Sequence, residues 1–139
     1  MTTKKQVATL LVLTLVGMMG LVNAQSSSTI KAQVPFNFVA NGKTMAAGLC
    51  VITVLGTGME HLSISSGKQH IFAYSIPDES PNASKKTALV FHRYGERYFL
   101  TGIKRGGRSG YELPKSNLEL ELQARNVAEQ DFTLLASAK

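Results

Sequence analysis

The sequence predicts an all-β fold, an antiparallel sandwich or partly open barrel of about seven short strands with one short helix near the C-terminus. Three observations carry that reading. Apolar and polar residues alternate strictly from Ile30 to Phe38, which is the period of a half-buried strand. Two-residue turn signals recur between strand-forming runs, at Asn41-Gly42, Ser66-Gly67 and Gly95-Glu96, the spacing of tight hairpins. After Pro114 the texture changes, and Leu118 to Arg125 holds good helix formers with no β-branched residue.

The chain has 139 residues, of which the first 24 read as a signal segment (1–24) rather than as fold. Lys4 and Lys5 form a positive start, Val7 to Val22 is uncharged and apolar, and Val22-Asn23-Ala24 fits a signal-peptidase site. The alternative is an uncleaved anchor. At about 1.5 Å per residue the apolar run falls short of the roughly 30 Å hydrocarbon core, and Gly17 and Gly20 weaken its end. Cleavage after Ala24 leaves residues 25–139 as a single β-rich domain with no transmembrane segment, exported to the periplasm or the exterior. It also takes the formal net charge from +6 to +4, because the removed segment carries Lys4, Lys5 and no acid. A balance this mild points to an anionic envelope polymer or another protein as partner rather than to nucleic acid. Cys50 has no second cysteine to pair with, and its aliphatic neighbours Leu49, Val51 and Ile52 predict an inert, buried thiol.

Taken in order, Ile30, Ala32, Val34, Phe36 and Phe38 make the inner face of the first strand, and Pro35 implies an edge or a bulge because it has no N–H for a ladder. Asn41-Gly42 predicts a type I′ turn. Leu49 to Leu55 is apolar on both faces, as a central strand is. The next hairpin, closed by Ser66-Gly67, sets Ser65 against Lys68, Ser63 against His70 and His61 against Phe72, with Leu62, Ile64, Ile71 and Ala73 inward. Pro77 to Lys86 reads as an exposed loop. It contains Asn82-Ala83-Ser84, a glycosylation triplet that matters only in a host that glycosylates exported proteins.

With Gly95-Glu96 as a loop, Tyr94 faces Arg97, Arg93 faces Tyr98, His92 faces Phe99 and Phe91 faces Leu100. Leu89, Phe91 and Leu100 then share one apolar face, while Val90, His92, Tyr94, Arg97 and Phe99 share a mixed, partly covered one. Ser116 followed by Glu119 fits a capping box, and Glu121 and Arg125 have helical spacing. The competing reading there is a strand, since Leu118, Leu120 and Leu122 alternate with acids. Phe132 to Ala136 reads as a last strand with Phe132, Leu134 and Ala136 inward.

Val90-Phe91-His92-Arg93-Tyr94-Gly95-Glu96-Arg97-Tyr98-Phe99-Leu100 and Gly107-Arg108-Ser109-Gly110-Tyr111-Glu112-Leu113-Pro114-Lys115-Ser116 resemble a group of small exported bacterial proteins of unknown function. Val34-Pro35-Phe36-Asn37-Phe38 and Asn41-Gly42-Lys43 add to the likeness. The resemblance implies an exported β-rich domain and carries over no activity or ligand.

No catalytic motif, cofactor or metal site follows from spacing alone. His61 and His70 share a face in the register above, and a metal there needs a third ligand from His92, Glu60 or Asp78. Gly107-Arg108-Ser109-Gly110 is one residue short of a nucleophile elbow, and Glu119 and Glu121 read as solvated helix charges. The remaining candidate is Lys104-Arg105-Gly106-Gly107-Arg108, where a flexible backbone can curl into an anion nest beneath cationic side chains. Together with Arg93, Arg97 and Tyr98 it defines a contact patch for an anion or polymer. The function expected is therefore a non-enzymatic exported binding or structural domain of the envelope, with a small hydrolase or metal-dependent enzyme using a histidine site as the alternative.

Overall fold

The computed structural model describes residues 28–56, 60–80 and 84–139, so the signal segment and Asn82 lie outside the described residues. The chain is mostly β, with eleven strands and one helix among the described residues. In order these are β1 (Thr29–Val34), β2 (Phe38–Ala40), β3 (Lys43–Met45), β4 (Gly48–Leu55), β5 (Glu60–Ser66) and β6 (Gln69–Asp78). There follow β7 (Ala88–Tyr94), β8 (Arg97–Arg105), β9 (Arg108–Glu112), α1 (Asn117–Ala124), β10 (Glu129–Leu135) and β11 (Ser137–Ala138). They pair in the order β10-β7-β8-β9-β6-β5-β4-β1-β11, with β2 joined to both β3 and β8. The two ends of this path, β10 and β11, are separated in the chain only by Ala136. The sheet therefore curls back toward its own start, yet no β10–β11 ladder closes it.

The count exceeds about seven for local reasons. Pro35 interrupts the long first strand: β1 stays beside β4, while β2 crosses to lie parallel to β8, with Phe38 beside Tyr98 and Val39 beside Phe99. Asn41 (φ 48°) and Gly42 (φ 74°) then make the predicted turn with positive φ at both central residues, returning β3 along β2. The cationic Gly106-Gly107 segment, expected as a flexible loop, is a tight turn that folds β9 back on β8, with Arg105 opposite Arg108. Strand β6 also runs further than expected, through Pro77 to Asp78, and pairs there with β9.

Central placement of β4 holds, but its two faces differ. Cys50, Ile52 and Val54 are buried, whereas Leu49 is 52% and Leu55 37% exposed. The β5–β6 hairpin turns at Gly67-Lys68 instead of Ser66-Gly67, so Ser66 faces Gln69, Ser65 faces His70 and His61 faces Tyr74. The physical reason is turn chemistry. A primed turn needs positive φ at its first central residue, which glycine adopts at Gly67 (φ 60°) and Ser66 adopts only at a steric cost. Each partner shifts by two places, so the faces are kept: Leu62, Ile64 and Ala73 are buried and Ile71 packs on the same core.

All four β7–β8 pairs occur as predicted, from Tyr94–Arg97 to Phe91–Leu100, and a bulge follows between Val90 and Phe91. Phe91 is fully buried, edge-on to Phe36 at 5.1 Å and to Phe38 at 5.5 Å between ring centroids. Those contacts tie the β2 corner to the β7–β8 hairpin. Of the last strand, Leu134 and Ala136 reach the core, while Phe132 stays 37% exposed beside Phe36 and Tyr98.

Candidate functional site

The predicted patch is divided by β8, which carries Arg97 and Tyr98 at one end and Lys104 and Arg105 at the other. At about 3.3 Å per residue the two groups stand roughly 20–26 Å apart. At the first end the side chains are engaged in structure. Tyr98 stacks on Phe36 at 3.7 Å, Arg93 lies 5.5 Å from the Tyr98 ring, and Arg93 Nε donates to Gly95 O at 2.7 Å. Arg97 is exposed.

At the second end, Lys104, Arg105 and Arg108 line a recess of about 290 Å³ with Asp78, Ser80 and Ser84. No backbone anion nest forms beneath them, because both glycine amides are already bonded. Gly106 N donates to Thr87 Oγ1 at 3.1 Å and Gly107 N to Ser84 O at 2.9 Å. What remains is a hydrogen-bonded cationic turn rather than an open loop. Arg105 Nε donates to Ser109 O at 2.7 Å, and its guanidinium lies 4.5 Å from the Tyr111 ring centroid. Among the described residues Lys104, Arg105 and Arg108 form no ion pair within 4.0 Å. Asp78 is held below its ordinary carboxylate range by hydrogen bonds from Ser80, with a smaller contribution from Lys104.

The histidines separate as well. In the observed register His61 sits opposite Tyr74, four positions along β6 from His70, or about 13 Å at strand rise. His70 Nε2 instead meets Ser63 Oγ at 2.7 Å. Ser109 lies in β9, not at a strand-to-helix elbow. Burial pushes the Cys50 thiol up to about 12, which removes it as a nucleophile near neutral pH.

A different group of side chains does converge, on the outer face of β7. Ser116 caps α1, accepting from Glu119 N at 3.3 Å. The reciprocal half of the capping box is missing, because the Glu119 carboxylate turns to the sheet instead. It is the one fully buried residue of the helix, 2% exposed, while Leu120 is 48% exposed. The expectation of a solvated Glu119 is thus overturned. Burying a carboxylate is costly unless it is bonded, and Glu119 Oε1 accepts from His92 Nδ1 at 2.7 Å and from the Tyr94 hydroxyl at 3.0 Å.

Strand β10 completes the group by setting Glu129 opposite Tyr94 and Asp131 opposite His92. Glu129 Oε2 accepts from Tyr94 at 2.7 Å and from Gln123 Nε2 at 2.9 Å. Those two bonds, Tyr94 first, hold the Glu129 carboxyl below its ordinary range. Burial, then the bonds to Glu129 and Glu119, push the Tyr94 hydroxyl well above its own. Tyr94 therefore keeps its single proton between two carboxylates. On the far side of the ring, His92 Nε2 lies 3.5 Å from Glu129 Oε1 and 3.6 Å from Asp131 Oδ1. A groove of about 390 Å³ opens beside it, lined by His92, Val90, Thr101, Gly102, Ile76 and Glu112.

Sequence reasoning singled out His92 but missed its partners. The local signal was the helical spacing of Glu119 and Gln123, which puts both on one helix face. The pairing of β10 with β7, which supplies Glu129 and Asp131, has no local signature. No family model, curated protein or solved structure shows a significant match to this chain.

Proposed function

We propose that this chain is an exported, non-enzymatic β-domain that binds anionic groups of an envelope polymer through the β8–β9 turn. The observation that carries this reading is the recess lined by Lys104, Arg105 and Arg108, three cations without an ion pair among the described residues. An arginine already positioned by Ser109 O and Tyr111 loses little freedom on binding a sulfate, phosphate or carboxylate group. The export half of the proposal rests on the first 24 residues of the sequence. Cleavage after Ala24 leaves every described strand intact, since β1 begins at Thr29.

An Arg105→Ala/Arg108→Ala variant is expected to elute from a sulfated dextran column at clearly lower salt than the parent, with an unchanged melting temperature. Surface charges contribute little to stability, and their interactions are screened by salt. An Arg93→Ala/Arg97→Ala variant serves as the control for the opposite end of β8. Equal loss of retention in both pairs would reduce the effect to net charge and count against the recess.

A second reading, a metal-dependent hydrolase, has one observation in its favour: His92 lines the larger groove beside carboxylates from two other elements. A hydrolase screen with divalent metal supplied tests it, and inactivity throughout would sink it.

A further inference from the structure

The His92 cluster has the organisation of a metal centre with its supporting shell already in place. Metal-ligating histidines characteristically donate their other ring N–H to a carboxylate, which fixes tautomer and ring orientation. His92 has that arrangement: Nδ1 lies 2.7 Å from an oxygen of the buried Glu119, and Nε2 is the ring nitrogen left to face outward. Toward that nitrogen come Glu129 Oε1 at 3.5 Å and Asp131 Oδ1 at 3.6 Å. Around a cation with bonds near 2.1 Å, neighbouring tetrahedral ligand atoms stand roughly 3.4 Å apart. The two distances to Nε2 match that spacing. By contrast, the 2.7 Å between His92 Nδ1 and Glu119 Oε1 is a hydrogen bond and too short for two ligands of one ion.

The carboxylate is oriented in the same way as the imidazole. Tyr94 and Gln123 hold Glu129 by Oε2, so Oε1 is the oxygen left to face His92. Asp131 lies two residues along the same strand, opposite His92, with its side chain 76% exposed. One ligand is thus fixed by the sheet and a buried acid, one by the helix and a tyrosine, and one stands at the solvent edge.

We propose that His92 Nε2 and Glu129 Oε1 bind a divalent transition cation of the zinc class, the exposed Asp131 side chain turning in to complete the set, with Glu119 acting as a positioning residue behind His92. One imidazole and two carboxylates suit zinc, manganese or ferrous iron better than calcium, which takes oxygen ligands alone. Three protein ligands leave a coordination position toward water. This site is separate from the cationic turn and stands whether or not that turn binds polymer.

The test uses the full-length chain without a histidine tag, titrated with cobalt(II) as a spectroscopic probe and then competed with zinc. The expected result is one cobalt per chain, displaced by zinc. Asp131→Asn is expected to weaken binding by about tenfold or more, and Glu119→Gln by about ten- to hundredfold at unchanged stoichiometry. Asp131 is exposed, so its variant is expected to keep the parent's circular dichroism and melting temperature, and its result is read on folded protein. His61→Ala/His70→Ala is expected to bind cobalt like the parent. Absence of a cobalt spectrum at millimolar metal, affinity untouched by Asp131→Asn, or binding lost with His61 and His70 would each overturn the proposal.

Discussion

Glu119 shows how one side chain can satisfy a local rule and then leave it. Ser116 and Glu119 stand at capping-box spacing, and Ser116 does cap the helix. The carboxylate itself bonds to His92 and Tyr94, a destination set by strands 25 to 27 positions away in the chain. The helix was therefore readable from the sequence, and the burial of its acid was not. Cys50 is the opposite case, since its aliphatic neighbours alone predicted a buried thiol and it is fully buried in β4. Its protonation gives a pH prediction with a definite sign. The unfolded thiol titrates near 8.5 and the folded one near 12, so the folded state binds the proton more tightly between those values. This contribution to stability is complete below pH about 8.5 and declines as pH rises toward 12. Melting temperature is accordingly expected to fall less steeply above pH 9 in Cys50→Ala than in the parent. A disulfide reagent at pH 8 is expected to label Cys50 only after denaturant is added; rapid labelling of the native protein would contradict its burial.

Hairpins were the most readable elements because a two-residue turn sets register by itself. Gly95 takes the first position of its turn, and the four pairs predicted from it all occur. In the β5–β6 hairpin glycine again takes the first position, which moves the turn one residue on and separates His61 from His70. The β8–β9 hairpin was hidden because Lys104 to Ser109 has loop composition. Its packing is nevertheless tight: a Cβ added at Gly110 would stand 2.4 Å from Ile103 O, a backbone atom of the paired strand. Gly110→Ala is therefore expected to destabilise the protein by about 1–3 kcal/mol through forced backbone shifts, measured as a lower urea midpoint with the slope unchanged. A neutral result would mean that β8 and β9 do not lie this close. The same variant is expected to weaken polymer retention, since Arg105 and Arg108 are presented by that hairpin.

On the scale of the whole molecule the sequence indicated a β-rich chain with hairpins and a late helix, but not the order of the sheet. Two strands exchange partners along their length: β6 passes from β5 to β9, and β8 passes from β2 to β9. Such exchanges depend on contacts between distant segments, and no local period encodes them. Strand β8 also divides the predicted patch, because it carries Arg97 at one end and Lys104 and Arg105 at the other, and the equally distant pairing of β10 with β7 completes the His92 cluster. The central functional proposal is that the β8–β9 turn makes the contact with anionic polymer. The most direct measurement is a map of backbone amide shifts in ¹⁵N-labelled protein titrated with dextran sulfate at low salt. Shifts are expected to be confined to residues 84–86 and 104–110, with residues 93–98 unmoved. Shifts centred on 93–98, or spread evenly over every lysine and arginine, would contradict the proposal.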